Sequence, residues 1–197
     1  MLTPEPGAGP GLRCRRHAAV LAAAILGIVW ARCFSAPAPI TLAFACYGAL
    51  HAAALGLSLR PRPTAVRALG FVAAASLLSG LLARLGLLAA PLLARSGVAP
   101  AAVLVVAISA FVGALGYGAL LRCLLRYPLA PVALVMIALI CVVAVSAGLV
   151  LMRQYPWGGS AWLAIFWWLA FSGGLCAAAR RARSELEPFD AAKQRMP

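Results

Sequence analysis

Long apolar runs alternate along this chain with short segments that hold the basic residues and most of the prolines. A helix that crosses a bilayer needs about 20 mostly apolar residues. Several runs approach that length, and they predict spans at residues 18–34, 40–59, 66–90, 98–121, 132–152 and 161–179. The pattern therefore predicts an all-α fold, a polytopic transmembrane helix bundle of about six spans.

The third run leaves two readings open, because Arg84 interrupts it. Either the span reaches Ala90 and Arg84 extends toward the outer surface, or the span ends at Arg84 and a short interfacial helix follows, broken by Pro91. An Arg at the bilayer centre costs about 2.5–3.5 kcal/mol on insertion scales. Extension of the long side chain to the outer headgroups avoids much of that cost, so this position is favoured.

The basic residues are divided unequally between the predicted loops. If the N-terminus is cytoplasmic, most of the 17 Lys and Arg residues fall on cytoplasmic segments, as in most membrane proteins. The chain then has a disordered cytoplasmic tail at 1–17, a membrane domain at 18–180 and a cytoplasmic C-terminal tail at 181–197. A cleaved signal peptide in place of the first span is the alternative, and it would leave five spans.

Composition supports the membrane assignment. The chain is 64% hydrophobic and 11% charged, whereas soluble domains are roughly 45–50% apolar and about 25% charged. A net charge of +13 would suggest nucleic acid in a soluble protein. Here the basic residues lie between spans, so no nucleic-acid partner is expected and the lipid bilayer is the predicted environment. The tails carry no recognised organelle address, which favours a bacterial inner membrane.

Carboxylates are missing from the whole stretch between Pro6 and Ser184. Most membrane proton relays, sodium sites and magnesium sites are built from Asp or Glu. The six cysteines form no CxxC pair and no zinc-ligand spacing, and two histidines do not supply a metal-binding cluster. We therefore expect no catalytic residues, no metal site, no cofactor and no enzymatic activity.

Four residues are candidates for ligand binding. His51 lies in the middle of the second run, one helical turn beyond Tyr47, and an intramembrane histidine can bind a ligand or carry a proton. Trp167, deep in the sixth run, is a candidate to line a cavity for an apolar or cationic ligand. Arg84 is a candidate for an anion or lipid-phosphate contact. A structural role within the bundle is the alternative for each.

Small residues recur at every fourth position of several runs. In the first run they are Ala19, Ala23, Gly27 and Ala31. Such stripes allow helix backbones to approach closely in lipid. The first-run stripe is the best candidate for a surface that docks another membrane protein or a second copy, and packing within the bundle itself is the alternative.

Two functions fit these features. The first is a transport-related role, as a permease or as a membrane-embedded substrate-binding subunit. In size, span number and small-residue first helix the chain resembles the substrate-binding components of energy-coupling-factor vitamin transporters, which dock on a larger subunit through such a helix. The second is a non-catalytic structural or assembly subunit of a larger membrane complex.

Overall fold

A computed structural model of the chain describes residues 11–34, 39–60, 62–95, 101–154 and 160–193, and nearly all of them are helical. The helices are α1 (Cys14–Phe34), α2 (Ile40–Ser58), α3 (Ala65–Arg95), α4 (Ala101–Leu125), α5 (Pro131–Gln154) and α6 (Ala161–Lys193). Helices α2 to α6 are long and apolar enough to cross a membrane. The side chains of α1 are described only as far as Val29, and α1 is not among the helices so judged. The predicted helical membrane bundle is confirmed.

The six helices pack in chain order. Each helix contacts the next along the sequence, and α1 also contacts α6, so that the order closes into a ring. Helix α2 touches α6 across this ring. Short connections between antiparallel neighbours favour this arrangement, because each helix can satisfy its own backbone hydrogen bonds and needs only side-chain packing against its neighbours.

The N-terminal segment is ordered from Gly11, which corrects the prediction of a disordered tail extending through residue 17. Strand β1 (Gly11–Leu12) pairs antiparallel with β2 (Leu59–Arg60), and the Arg13 N–H donates to the Ser58 carbonyl at 3.1 Å. Leu12 is buried in the core. The glycines and prolines that suggested disorder are concentrated before residue 11, outside the described residues.

Two helices extend beyond the predicted spans. Helix α3 continues through Arg84 and Pro91 to Arg95 as one element. Proline removes a single helical hydrogen bond, and close to a helix end few bonds depend on it. Helix α6 continues past residue 179 to Lys193, through a segment rich in Ala, Arg and Glu, which all have high helix propensity.

The packing surface and the outer surface differ as expected for a protein in lipid. Phe71, Tyr117 and Phe171 are fully buried between the helices. Large apolar side chains also cover the outside of the bundle, where Leu77 is 74% and Val143 is 72% exposed. Many such side chains would be unfavourable in water, whereas hydrocarbon accepts them at no cost.

Candidate functional site

Five helices line a half-open apolar cavity of about 350 Å³. It lies toward the end of the bundle where α2, α4 and α6 begin, which the distribution of basic residues makes the outer end. We call the part of the bundle around this cavity the outer half, and the part that contains Cys14, Ser58 and Leu125 the inner half. Residues of α2, α3, α4, α5 and α6 line the cavity, and none of the α1 residues whose side chains are described belongs to the lining.

Aromatic side chains form the floor of the cavity. Tyr117 donates a hydrogen bond to the Gly48 carbonyl at 2.5 Å, and Ser79 interacts with the same hydroxyl. The Trp167 indole N–H donates to the Ala110 carbonyl at 3.2 Å. Because helix carbonyls already satisfy these donors, the rings are held in position and present mainly their apolar surfaces to the cavity.

The described lining of the cavity contains no charged side chain. Its polar groups are the hydroxyls of serines and tyrosines, including Ser79, Ser109 and Ser160. A charged ligand would lose its hydration in such a site without gaining an opposite charge. An uncharged, largely apolar molecule suits this lining, and the volume falls within the usual range for small-molecule sites, roughly 300–1,000 Å³.

His51 lies one helical turn below this floor and is fully buried. Its ring stacks on Trp168 with centroids 5.4 Å apart and planes 15° from parallel. Tyr117, Trp167 and Phe171 surround it at centroid distances of 5.4, 5.5 and 5.8 Å. Aromatic faces of this kind pack against a neutral imidazole and also attract a cationic one.

A row of hydrogen bonds connects His51 with the inner end of the bundle. Ser172 Oγ lies 3.0 Å from His51 Nε2 and 2.8 Å from His17 Nε2. His17 Nδ1 lies 3.3 Å from Ser58 Oγ, and Ser58 donates to the Ala54 carbonyl at 2.6 Å. All four side chains of this row are buried. We call His51, Ser172, His17 and Ser58 the histidine–serine row.

The structure brings three of the four candidate binding residues together. Tyr47 and Trp167 both line the cavity, and His51 lies directly behind them. Arg84 is exposed and does not belong to the described lining, although its neighbour Ala83 does. The side chain of Arg84 therefore points away from the cavity.

Sequence reasoning did not identify His17, Ser58 or Ser172 as parts of the site. His17 was assigned to a disordered tail, and the serines were unremarkable members of apolar runs. The sequence does contain a signal for these residues. A buried polar side chain in a membrane protein needs hydrogen-bond partners, and the spans of this chain contain few polar side chains. A search for the partner of His51 would have reached these residues.

The small-residue stripe of α1 lies on the outside of the bundle. Ala19, Ala23 and Gly27 are exposed, and a Cβ atom added at Gly27 would meet no atom within 4 Å. The side chain of Ala31 lies outside the described part of the chain. In contrast, Gly48 and Gly174 pack tightly between helices. Ala19, Ala23 and Gly27 are thus not packed against the described residues of this bundle.

Comparisons of the chain with models of known protein families, with curated proteins and with solved structures find no match. The candidate function therefore rests on the geometry described above.

Proposed function

We propose that this protein is transport-related and binds an uncharged, largely apolar small molecule in the cavity of the outer half. The observation that carries the proposal is the cavity itself, an apolar space of about 350 Å³ between five helices. A bundle that needed only to be stable would gain by filling this space, because empty apolar volume costs packing energy. A permease or a membrane-embedded substrate-binding subunit needs such a space.

The lining defines the class of ligand. Trp167, Trp168 and Tyr117 offer aromatic surfaces, and a small number of hydroxyl groups can orient a bound molecule. The proposal assigns no covalent chemistry to these residues. It places the protein in a bacterial inner membrane, where basic loops face the cytoplasm.

A pair of substitutions on one helix tests the proposal. Val106 lines the cavity, whereas Ile108 on the same helix is 53% exposed on the outside. Val106→Trp should fill part of the cavity, and Ile108→Trp should place the same ring against lipid. Thermal unfolding of the purified protein is measured against a panel of neutral apolar compounds, because a ligand that binds the folded state raises the melting temperature.

We expect at least one compound to raise the melting temperature of the wild type and of Ile108→Trp, with a smaller or absent rise in Val106→Trp. A rise of equal size in all three proteins would place binding outside the cavity and contradict the proposal. A panel that leaves the wild type unchanged at saturating concentrations would also count against it.

A second function, a non-catalytic subunit of a larger complex, is favoured by the exposed stripe of α1. Ala19, Ala23 and Gly27 present a flat surface on which another helix could pack closely. The occupant would be a membrane protein partner or a second copy of the chain. Nothing in the cavity requires this arrangement, so it stands as the alternative.

The alternative is tested by Gly27→Leu. No atom lies within 4 Å of the new Cβ, so the fold should tolerate the change and the melting temperature should stay the same. Crosslinking in native membranes should then lose a specific product if the stripe is an interface. A crosslinking pattern identical to that of the wild type would contradict the subunit role.

A further inference from the structure

The histidine–serine row fixes where its protons lie. Ser58 has a single hydroxyl proton, which it donates to the Ala54 carbonyl, because a carbonyl can only accept. In its contact with His17, Ser58 is therefore the acceptor, and Nδ1 of His17 carries the proton. A neutral His17 then has a bare Nε2, which accepts the hydroxyl proton of Ser172.

The position of the Ser172 proton also determines which nitrogen of His51 is protonated. Ser172 has used its proton toward His17, so it can only accept from His51, and Nε2 of His51 carries a proton. In a neutral ring this leaves Nδ1 of His51 as a bare lone pair. That atom is buried and has no hydrogen-bond partner among the described residues. An unpaired acceptor in a buried site costs free energy, so its presence in a folded protein points to a functional role.

One additional proton reverses the direction of the hydrogen bonds between His51, Ser172 and His17, and no heavy atom has to move. A proton that binds Nδ1 of His51 makes this ring a cation, which releases its Nε2 proton to Ser172 Oγ. Ser172 passes its original proton to Nε2 of His17. At His51 the Nδ1–H bond has formed and the Nε2–H bond has broken. At Ser172 one O–H bond has formed and one has broken, and at His17 the Nε2–H bond has formed. The charge now lies on His17, and Ser172 donates to a neutral His51.

We propose that His51, Ser172 and His17 form a relay that carries a proton between the floor of the cavity and the inner end of the bundle, and that this proton is coupled to movement of the ligand. The coupling rests on the proposed transport function. The relay replaces the carboxylates on which most membrane proton paths depend, and which the spans of this chain lack.

The surroundings suit a single mobile charge. Among the described residues that contact His51, the titratable ones are His17 from α1 and Tyr117 from α4, while α6 contributes Ser172 and aromatic rings. His17 and His51 have ring centroids 6.3 Å apart, so two positive charges would repel each other.

The row ends at the inner end of the bundle. Ser58 is the last residue of α2, and its carbonyl accepts from the N–H of Arg13. The titratable groups beyond His17 are Cys14 on α1 and Cys176 on α6, which interact with each other, and Arg180 lies near this pair. Arg13 and Arg180 therefore lie at the inner end of the row.

The relay is tested by magnetic resonance of the full chain in lipid bilayers with ¹⁵N-labelled histidine. The chain has two histidines, so each ring can be assigned with the variant His17→Asn. Near neutral pH, we expect His17 protonated on Nδ1 and His51 protonated on Nε2. On acidification, His17 should become doubly protonated over the same pH range in which His51 changes from Nε2–H to Nδ1–H.

The serine provides a matched control. Ser172→Ala should abolish the change of tautomer at His51, and Ser172→Thr, which keeps a hydroxyl, should restore it. Two rings with the same tautomer near neutral pH, or a wild-type His51 that stays unchanged while His17 titrates, would overturn the relay. The wild-type spectrum alone decides this point, even if Ser172→Ala fails to fold.

This measurement uses no ligand, so it is independent of the proposed cavity function. A tautomer change without any ligand binding would establish the relay and refute its coupling to transport. Ligand binding without a tautomer change would leave a cavity without a proton path.

To test the coupling, liposomes containing the protein and a pH-sensitive dye receive a gradient of a compound found in the thermal screen. The wild type should move protons, Ser172→Ala should lose this movement, and a wild type that moves none would refute the coupling.

Discussion

The outer half of the bundle surrounds an apolar cavity, whereas the inner half is filled by aromatic rings around the histidine–serine row. Helices α2 to α6 contribute to both halves. In the outer half, Gly86 and Gly113 line the cavity, and a Cβ atom added at either would lie 3.3 Å from the side chain of Val105 or Leu82. In the inner half, Phe171 is fully buried and packs against His51.

The difference separates two tasks. An open apolar space can hold a ligand, but its few hydroxyl groups form no continuous row of hydrogen bonds. A packed layer with buried hydroxyl and imidazole groups can pass a proton but leaves no room for a ligand. Gly48, Tyr117 and Trp167 form the boundary between the two halves, so changes there should affect both.

Gly48→Ala should have the largest effect on stability. Its new Cβ would lie 2.7 Å from the Ala75 carbonyl oxygen and in closer contact with Ser79 Oγ. Helices α2 and α3 would have to separate at the boundary, and overpacking of this kind costs about 1–3 kcal/mol. Unfolding of the purified protein in detergent is measured, either as the melting temperature or by titration with denaturant.

Gly56→Ala on the same helix is the matched control for this prediction. A Cβ atom there meets nothing within 4 Å, so the change should be neutral or should stabilise by up to about 1 kcal/mol through helix propensity. Equal destabilisation by both substitutions would mean that the boundary is not tightly packed.

Ser172→Ala should have a smaller effect, confined to the inner half. It removes hydrogen bonds of 2.8 and 3.0 Å to the two histidines. Hydrogen bonds between helices in membranes contribute about 0.6–2 kcal/mol each, so a loss of about 1–2 kcal/mol is expected. Cavity binding in the thermal screen should stay the same.

Ser146→Ala is the control for this loss. The Ser146 hydroxyl donates to the Val142 carbonyl of its own helix and joins no other element, so its removal should change stability by less than about 0.5 kcal/mol. If both alanine substitutions had the same small effect, the histidine–serine row would contribute nothing to the packing of the inner half.

Arg84→Gln should have the smallest effect. The Arg84 side chain is exposed and faces away from the cavity, so neither ligand binding nor the histidine–serine row depends on it. We expect unchanged ligand-induced stabilisation in the thermal screen. Loss of that stabilisation would restore Arg84 as a binding residue and move the site toward the outside of α3.

Much of the fold follows from the sequence, because a run of about 20 apolar residues between basic loops has few alternatives in a membrane. The proximity of His51, Tyr47 and Trp167 was also anticipated. The orientation of Arg84 was not anticipated, because α3 is apolar on most sides and its sequence does not show which face points inward. The order of the segment from Gly11 to His17 depends on strand pairing with Leu59 and Arg60, which no local pattern reveals.

The proposed function requires that the cavity of the outer half holds an apolar molecule. Its most direct test is purification of wild type, Val106→Trp and Ile108→Trp from native membranes in mild detergent, followed by mass spectrometry of the bound small molecules. We predict that one uncharged apolar molecule accompanies the wild type and Ile108→Trp in stoichiometric amounts and is lost from Val106→Trp. Equal recovery of that molecule with all three proteins, or a wild type that carries none, would contradict the claim.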